Sequence, residues 1–161
     1  MAIDIFLKID NVPGESNDSA HKDEIELASY CWGVNNPPSA QVPSATGRPS
    51  GAPLKFVKTV DKASPQLLKL CCLGAVIPTV VLSIRRAGAN QTPGFDFVKI
   101  TLQGCVVAAI EQLANPGTDL PVEEVALAYQ RIKIAYTSQK PNGAPGPMAD
   151  AGWDFAANAP F

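Results

Sequence analysis

Hydrophobic and polar positions alternate from the start of the chain. Ile3, Ile5, Leu7 and Ile9 fall on one side of an extended segment, and Asp4, Phe6 and Lys8 fall on the other. That period of two belongs to a strand with one buried face. The turn-rich stretch Asn11 to Ser19 separates it from a second alternating run, Glu24–Gly33, where Ile25 and Leu27 oppose Glu24 and Glu26. Phe56–Val60 predicts a short third strand. Val76–Arg86 predicts a fourth through Val80, Leu82 and Ile84, with Pro78 restricted to its start or to an edge because it has no N–H for the ladder. Phe95–Gln103 alternates again, Gly104 marks a bend, and Cys105–Leu113 continues as a further strand. Glu124–Thr137 would also make a fair helix. Strand is the better reading, because its apolar residues occupy odd positions (Val125, Leu127, Tyr129) and then even ones (Ile132, Ile134, Tyr136), the phase slip of a β-bulge.

One segment has helical spacing. Ser64 is a suitable N-cap, Pro65 fits the first helical position, Leu67, Leu70 and Cys71 recur on one face, and Gly74 supplies a left-handed stop. A helix of about ten residues does not persist alone in water, so it must dock on the sheet. Between these elements, Asn35 to Pro53 is rich in Pro and Ser with almost nothing to bury, and it reads as a long mobile loop. From Gln139 onward the chain is Gly/Pro-rich and reads as a tail, with Trp153 and Phe155 as anchors on the body or on a neighbouring chain. The expected architecture is mainly β: an antiparallel β-barrel or sandwich with one short helix.

Composition agrees with this and removes several functions. The 161 residues suit a single domain, and 15 Pro with 12 Gly favour short strands and turns over long helices. Thirteen Lys+Arg against fifteen Asp+Glu give a net charge of −2, without the basic footprint of a nucleic-acid binder. No apolar run approaches a membrane span, and the N-terminus lacks the basic-then-apolar order of a secretory signal peptide. Cys31, Cys71, Cys72 and Cys105 form no CxxC spacing and read as reduced thiols.

The expected chemistry is sparse. His21 is the single histidine, so HExxH metal sites and paired-His ligand sets are excluded, and no GxSxG, GxxxxGK[ST] or GxGxxG motif is present. His21 is expected to order the loop entering the second strand through hydrogen bonds. Glu24 and Glu26 share a strand face and could mount paired carboxylates, although a solvated edge is the simpler reading. The chain reads as a non-enzyme without a cofactor. Unpaired strand edges invite pairing with other chains, which makes an oligomer plausible.

The segments Phe6-Leu-Lys-Ile-Asp-Asn-Val-Pro-Gly-Glu-Ser16, His21-Lys-Asp-Glu-Ile25, Tyr30-Cys-Trp-Gly33 and Lys58-Thr-Val-Asp-Lys-Ala-Ser-Pro-Gln-Leu67 resemble the Hcp (haemolysin-coregulated protein) family. Pro121-Val-Glu-Glu-Val125, Tyr136, Gln139 and Gly152-Trp-Asp154 continue the resemblance in order along the chain. Hcp proteins are inner-tube subunits of the bacterial type VI secretion system. The resemblance implies a single tube domain over 1–161, closed as a β-barrel with one flanking helix. It implies homohexameric rings that stack into a hollow tube, driven outward by a contractile sheath, with effectors carried inside or on the spike tip. It also implies assembly in the cytoplasm and export without a signal peptide, with no nucleic acid and no membrane insertion. A lumen-binding carrier for small effectors and a phage tail-tube subunit are the neighbouring readings of the same fold. Family members commonly place a small polar residue between two aromatics of the second strand, facing the lumen. The matching position is Cys31, which the resemblance makes a candidate effector contact, whereas strict alternation from Ile25 would bury it. The Pro-rich loop at 35–53 and the turn Asn115–Asp119 depart from the family pattern.

Overall fold

The structure is a computed structural model that describes residues 3–38, 47–88 and 93–161. Twelve strands and one helix follow one another among these residues. They are β1 (Ile3–Ile9), β2 (Ile25–Glu26), β3 (Ser29–Cys31), β4 (Val34–Asn35), β5 (Ser50–Gly51), β6 (Leu54–Thr59), α1 (Ser64–Leu73), β7 (Ile77–Arg86), β8 (Phe95–Leu113), β9 (Val122–Ala128), β10 (Arg131–Gln139), β11 (Pro145–Asp154) and β12 (Ala159–Pro160). Every pairing is antiparallel.

The pairings close on themselves. β1 pairs β7, β7 pairs β8, β8 pairs β9, β9 pairs β6 and β6 pairs β3. β2, two residues upstream of β3, pairs back onto β1. The closure happens at one dipeptide. Leu27 donates its N–H to Ile5 of β1 (2.9 Å), and the next residue, Ala28, donates to Val57 of β6 (2.8 Å). The expected single strand Glu24–Gly33 is thus divided between two sheets. Its side-chain phase slips at the same place: Ile25 and Leu27 are buried, and Tyr30 and Trp32 then pack against the core from even positions.

β8 is the other shared element. Its first half pairs β7 and β10, and its second half pairs β9. The strand turns at Gly104, whose φ of 62° lies in the left-handed region where a Cβ is unfavourable. Opposite this point, the segment predicted as one bulged strand over 124–137 is two strands joined by Tyr129 and Gln130, with Gln130 donating its N–H to Gln103 (3.0 Å). The odd-to-even slip is therefore a passage from one sheet to the other, not a bulge within one ladder. Pro78 lies in β7 beyond the last β1 partner, Val80, where its missing N–H costs no ladder bond.

Leu7, Ile25, Leu54, Phe56, Leu67, Val80, Leu82, Ile100, Leu102, Val125 and Leu127 fill the interior at 0–1% exposure. Leu67, Leu70 and Cys71 of α1 face this core, and Gly74 ends the helix at φ 59°, its N–H on the Cys71 carbonyl. The expected N-cap is displaced by one residue. The helix begins after Ala63, and Ser64 is its first residue. Ser64 Oγ instead donates to the buried Glu123 carboxylate (2.6 Å) and accepts from Lys58 Nζ (3.1 Å) and the Asp61 N–H (3.1 Å). Lys58, at 0% exposure, also holds Glu123 Oε1 (2.8 Å) and Asp61 Oδ1 (2.7 Å). A buried charge needs partners of this quality, and the helix N-terminus, β6 and β9 are locked together by supplying them.

Two loop expectations change. Val34↔Gly51 and Asn35↔Ser50 form a short ladder at the base of the 35–53 segment, and the mobility expected further out falls on residues 39–46, outside those described. The Gly/Pro-rich tail is not a loop. β11 pairs β10 from Arg131↔Asp154 to Gln139↔Pro145, and β12 returns onto Trp153 and Asp154. Phe155 packs against Tyr129 (ring centroids 6.0 Å) and Trp153 is half-buried, so both anchors hold the chain's own body.

Leu127 lies between Leu54 and Val107 in the ladders at 0% exposure. Leu127→Arg is expected to abolish soluble protein, since an unpaired buried charge costs several kcal/mol out of a domain's ~5–15. A soluble, folded Leu127→Arg protein would show that this face is not buried. Lys58→Met strands the Glu123 carboxylate and is expected to lower stability by about 3–5 kcal/mol in urea titrations. Lys58→Met combined with Glu123→Leu should regain most of that loss, because neither charge then remains.

Candidate functional site

The polar candidates from the sequence are engaged in structure rather than gathered in a cleft. His21 is 5% exposed. Its Nδ1 lies 2.8 Å from Glu24 Oε2, its Nε2 lies 2.9 Å from Asp96 Oδ1, and its ring stacks on Phe6. The expected role, ordering the entry to the second strand, is what these bonds perform. Glu24 is consumed by that contact, whereas Glu26 is exposed on β2, so the two carboxylates form no working pair.

Cys31 is exposed. The switch at Leu27–Ala28 turns it outward, against the burial that alternation from Ile25 predicts. Its ladder partner is Lys55, which forms an ion pair with Glu124 of β9 (3.3 Å) on the same outer surface. Cys72 is exposed, Cys71 is half-buried, and all four thiols are free. Cys105 is fully buried, and desolvation pushes its thiol up to about 12.

The larger feature lies on the sheet that extends past the barrel. Register places Leu82, Ile100, Ile134 and Ala151 on one face, and Ile84, Val98, Tyr136 and Ala149 on the same face one step along. Toward β1 this face is the core. Toward β11 the barrel no longer covers it: Ile134 is half-buried, Tyr136 is 44% exposed, and Ala149 and Ala151 are exposed around a shallow apolar groove. The opposite face is polar, with Lys133 paired to Asp150 (2.7 Å) and Arg131 to Asp154 (2.5 Å). Backbone N–H groups of Ala157 and Ala156 together with Arg131 hold the Asp154 carboxyl below the usual range, which fixes the turn into β12. Pro145 and Pro147 interrupt the free edge of β11. Ile134, Tyr136, Ala149 and Ala151 thus form a small apolar strip that the chain's own barrel leaves bare. Sequence reading missed the β11 half of it, since Ala149, Ala151 and two Pro residues carry almost no strand propensity. The usable signal was the alternation of Ala149 and Ala151 with Asp150 just ahead of Trp153.

An antiparallel β-barrel with one flanking helix and a sheet that extends past it defines the fold class. Comparison with known proteins supplies the family. The model of the type VI secretion system effector family Hcp matches residues 6–136, and the chain belongs to that family. It is 33% identical to protein hcp1 of Pseudomonas aeruginosa, with 98% of each chain covered. Among solved structures, Hcp1 from Salmonella typhimurium superposes with a TM-score of 0.82 at 34% identity, covering 100% of both chains. A further type six secretion system protein superposes with a TM-score of 0.91 at 28% identity, covering 99% of this chain and 100% of the other. No helix among the described residues is long and apolar enough to cross a membrane.

The thiols provide a direct check of this geometry. In the native protein an aromatic disulfide reagent should react rapidly at Cys31 and Cys72, and Cys105 should stay silent until denaturant is added. Cys31→Ser should remove one of the fast equivalents. Unchanged fast labelling in Cys31→Ser would place Cys31 inside the barrel.

Proposed function

We propose that the chain is the wall subunit of a type VI secretion tube, a single domain over residues 1–161 that works by geometry rather than turnover. Six copies close into a ring, and rings stack head to tail into a hollow conduit. A contractile sheath drives the conduit outward, with effectors in the bore or on the spike tip. The subunit is made in the cytoplasm and leaves the cell as part of the ejected tube. Family membership over most of the chain supports this reading, and so does one physical observation: the bare face of Ile134, Tyr136, Ala149 and Ala151, which continues the core of its own barrel.

An apolar face of this kind is covered most simply by the outside of the next subunit's barrel. The contact is heterologous, so it closes only if the rotation between neighbours divides a circle. Each such contact must bury at least ~1,000 Å² to be specific. A net charge of −2 per subunit leaves little repulsion between stacked rings. Cys31, exposed beside the Lys55–Glu124 pair, is the residue proposed to touch cargo in the bore, and this also accommodates a carrier role toward small effectors.

Mass photometry of the purified protein at micromolar concentration is expected to find the mass of a ring. Tyr136→Asp should yield monomer with an unchanged far-ultraviolet circular dichroism spectrum, because Tyr136 is exposed within the subunit and buried only by a neighbour. Wild-type protein found solely as monomer would overturn the proposal.

A further inference from the structure

We infer that His21 is a charged clasp: an imidazolium held between Glu24 and Asp96 that fastens residues 13–24 to the barrel and releases them when its proton is removed. Hydrogen-bond donors at the two ring nitrogens decide the charge. Both ring nitrogens lie within hydrogen-bond distance of a carboxylate oxygen, Nδ1 at 2.8 Å from Glu24 and Nε2 at 2.9 Å from Asp96. Ionised carboxylates only accept, and a neutral imidazole has one N–H. A neutral ring would therefore turn a lone pair on one of the two oxygens. A doubly protonated ring satisfies both contacts with charge-assisted bonds.

The surroundings favour the cation. Asp96 also faces Arg85 Nη1 at 3.5 Å and Lys99 Nζ at 4.0 Å. The imidazole lies flat on the Phe6 ring, with centroids 4.3 Å apart and planes 9° apart, an arrangement that suits a cation over a π face. On this outer face β1 presents Asp4 and Lys8, β2 presents Glu26, β7 presents Arg85, and β8 presents Asp96 and Lys99. The loop itself adds Asp18, which accepts the His21 backbone N–H, and Glu24. Five carboxylates thus meet three cations before His21 is counted, and a proton on the ring reduces the imbalance.

The clasp matters because the loop's backbone bonds are mostly its own. Gly14 and Ser16 bond to Asp23 and Glu24, and Asp23 bonds back to Ser16. The His21–Asp96 bond spans 75 residues and ties this unit to β8. The remaining side-chain ties, the Lys62 N–H to Glu15 and the Lys62–Asp23 pair, are exposed.

A chain with one histidine gives one unambiguous ring spectrum. In the ¹⁵N-labelled full-length protein at about pH 7, both His21 ring nitrogens are expected to carry protons. A bare nitrogen at that pH would overturn the inference. Amide exchange, corrected for intrinsic rates, supplies the mechanical readout. Between about pH 6 and about pH 9, the amides of Ser16 and Asp23 should lose protection about tenfold more than those of Leu82 and Leu127, the effect of one charge-assisted bond. In Asp96→Asn and in Glu24→Gln the pH-dependent part should shrink, while the core amides stay protected. Equal protection of the loop at both pH values in the wild-type protein would also reject the clasp.

Discussion

The architecture depends on two points where the backbone ladder passes from one sheet to the other. At Leu27–Ala28, consecutive N–H groups bond to β1 and β6, and this single exchange of partners turns an open sheet into a closed barrel. At Gly104, β8 turns between its β7/β10 half and its β9 half, and Gln130 bridges the same corner from the facing chain. Strands that change sheets at bends are how an antiparallel barrel is built. Everything else is placed by these corners, including the outward turn of Cys31 and the extension of β10 and β11 beyond the barrel.

The helix is fixed by charge as much as by packing. Leu67 fills the core, but the position of the helix N-terminus is set where Ser64, Asp61 and Glu123 converge on Lys58. An apolar contact tolerates sliding, whereas a buried ammonium held by four oxygen acceptors does not. The charged cluster therefore specifies which helix turn meets β6 and β9, while burial of apolar area supplies most of the favourable free energy.

One sheet face serves two purposes along its length. Near β1 it is the protein's own core, and near β11 the same face, with the same alternation, is available to a neighbour. In the tube proposed above, this continuity lets one face serve both the subunit's own core and its contact with a neighbour. The polar reverse face, with Lys133–Asp150 and Arg131–Asp154, remains compatible with water.

Much of this was legible in the chain itself. The alternation of Ile3 to Ile9, of Val80 to Ile84 and of Val98 to Leu102 determined the main strands, Gly74 determined the helix end, and the joint blocks around Gly14, His21, Trp32 and Asp61 determined the family. What the one-dimensional pattern left open was decided by long-range pairing. Ser64 lost its capping role because Glu123, 59 residues away, claims its hydroxyl. Cys31 turned outward because β6 captured the backbone at Ala28. The residues of β11 became a strand because β10 offers a ladder that their own propensity could not demand. Local sequence reports side-chain period and turn chemistry, while the partner of each backbone N–H is chosen only when distant segments meet.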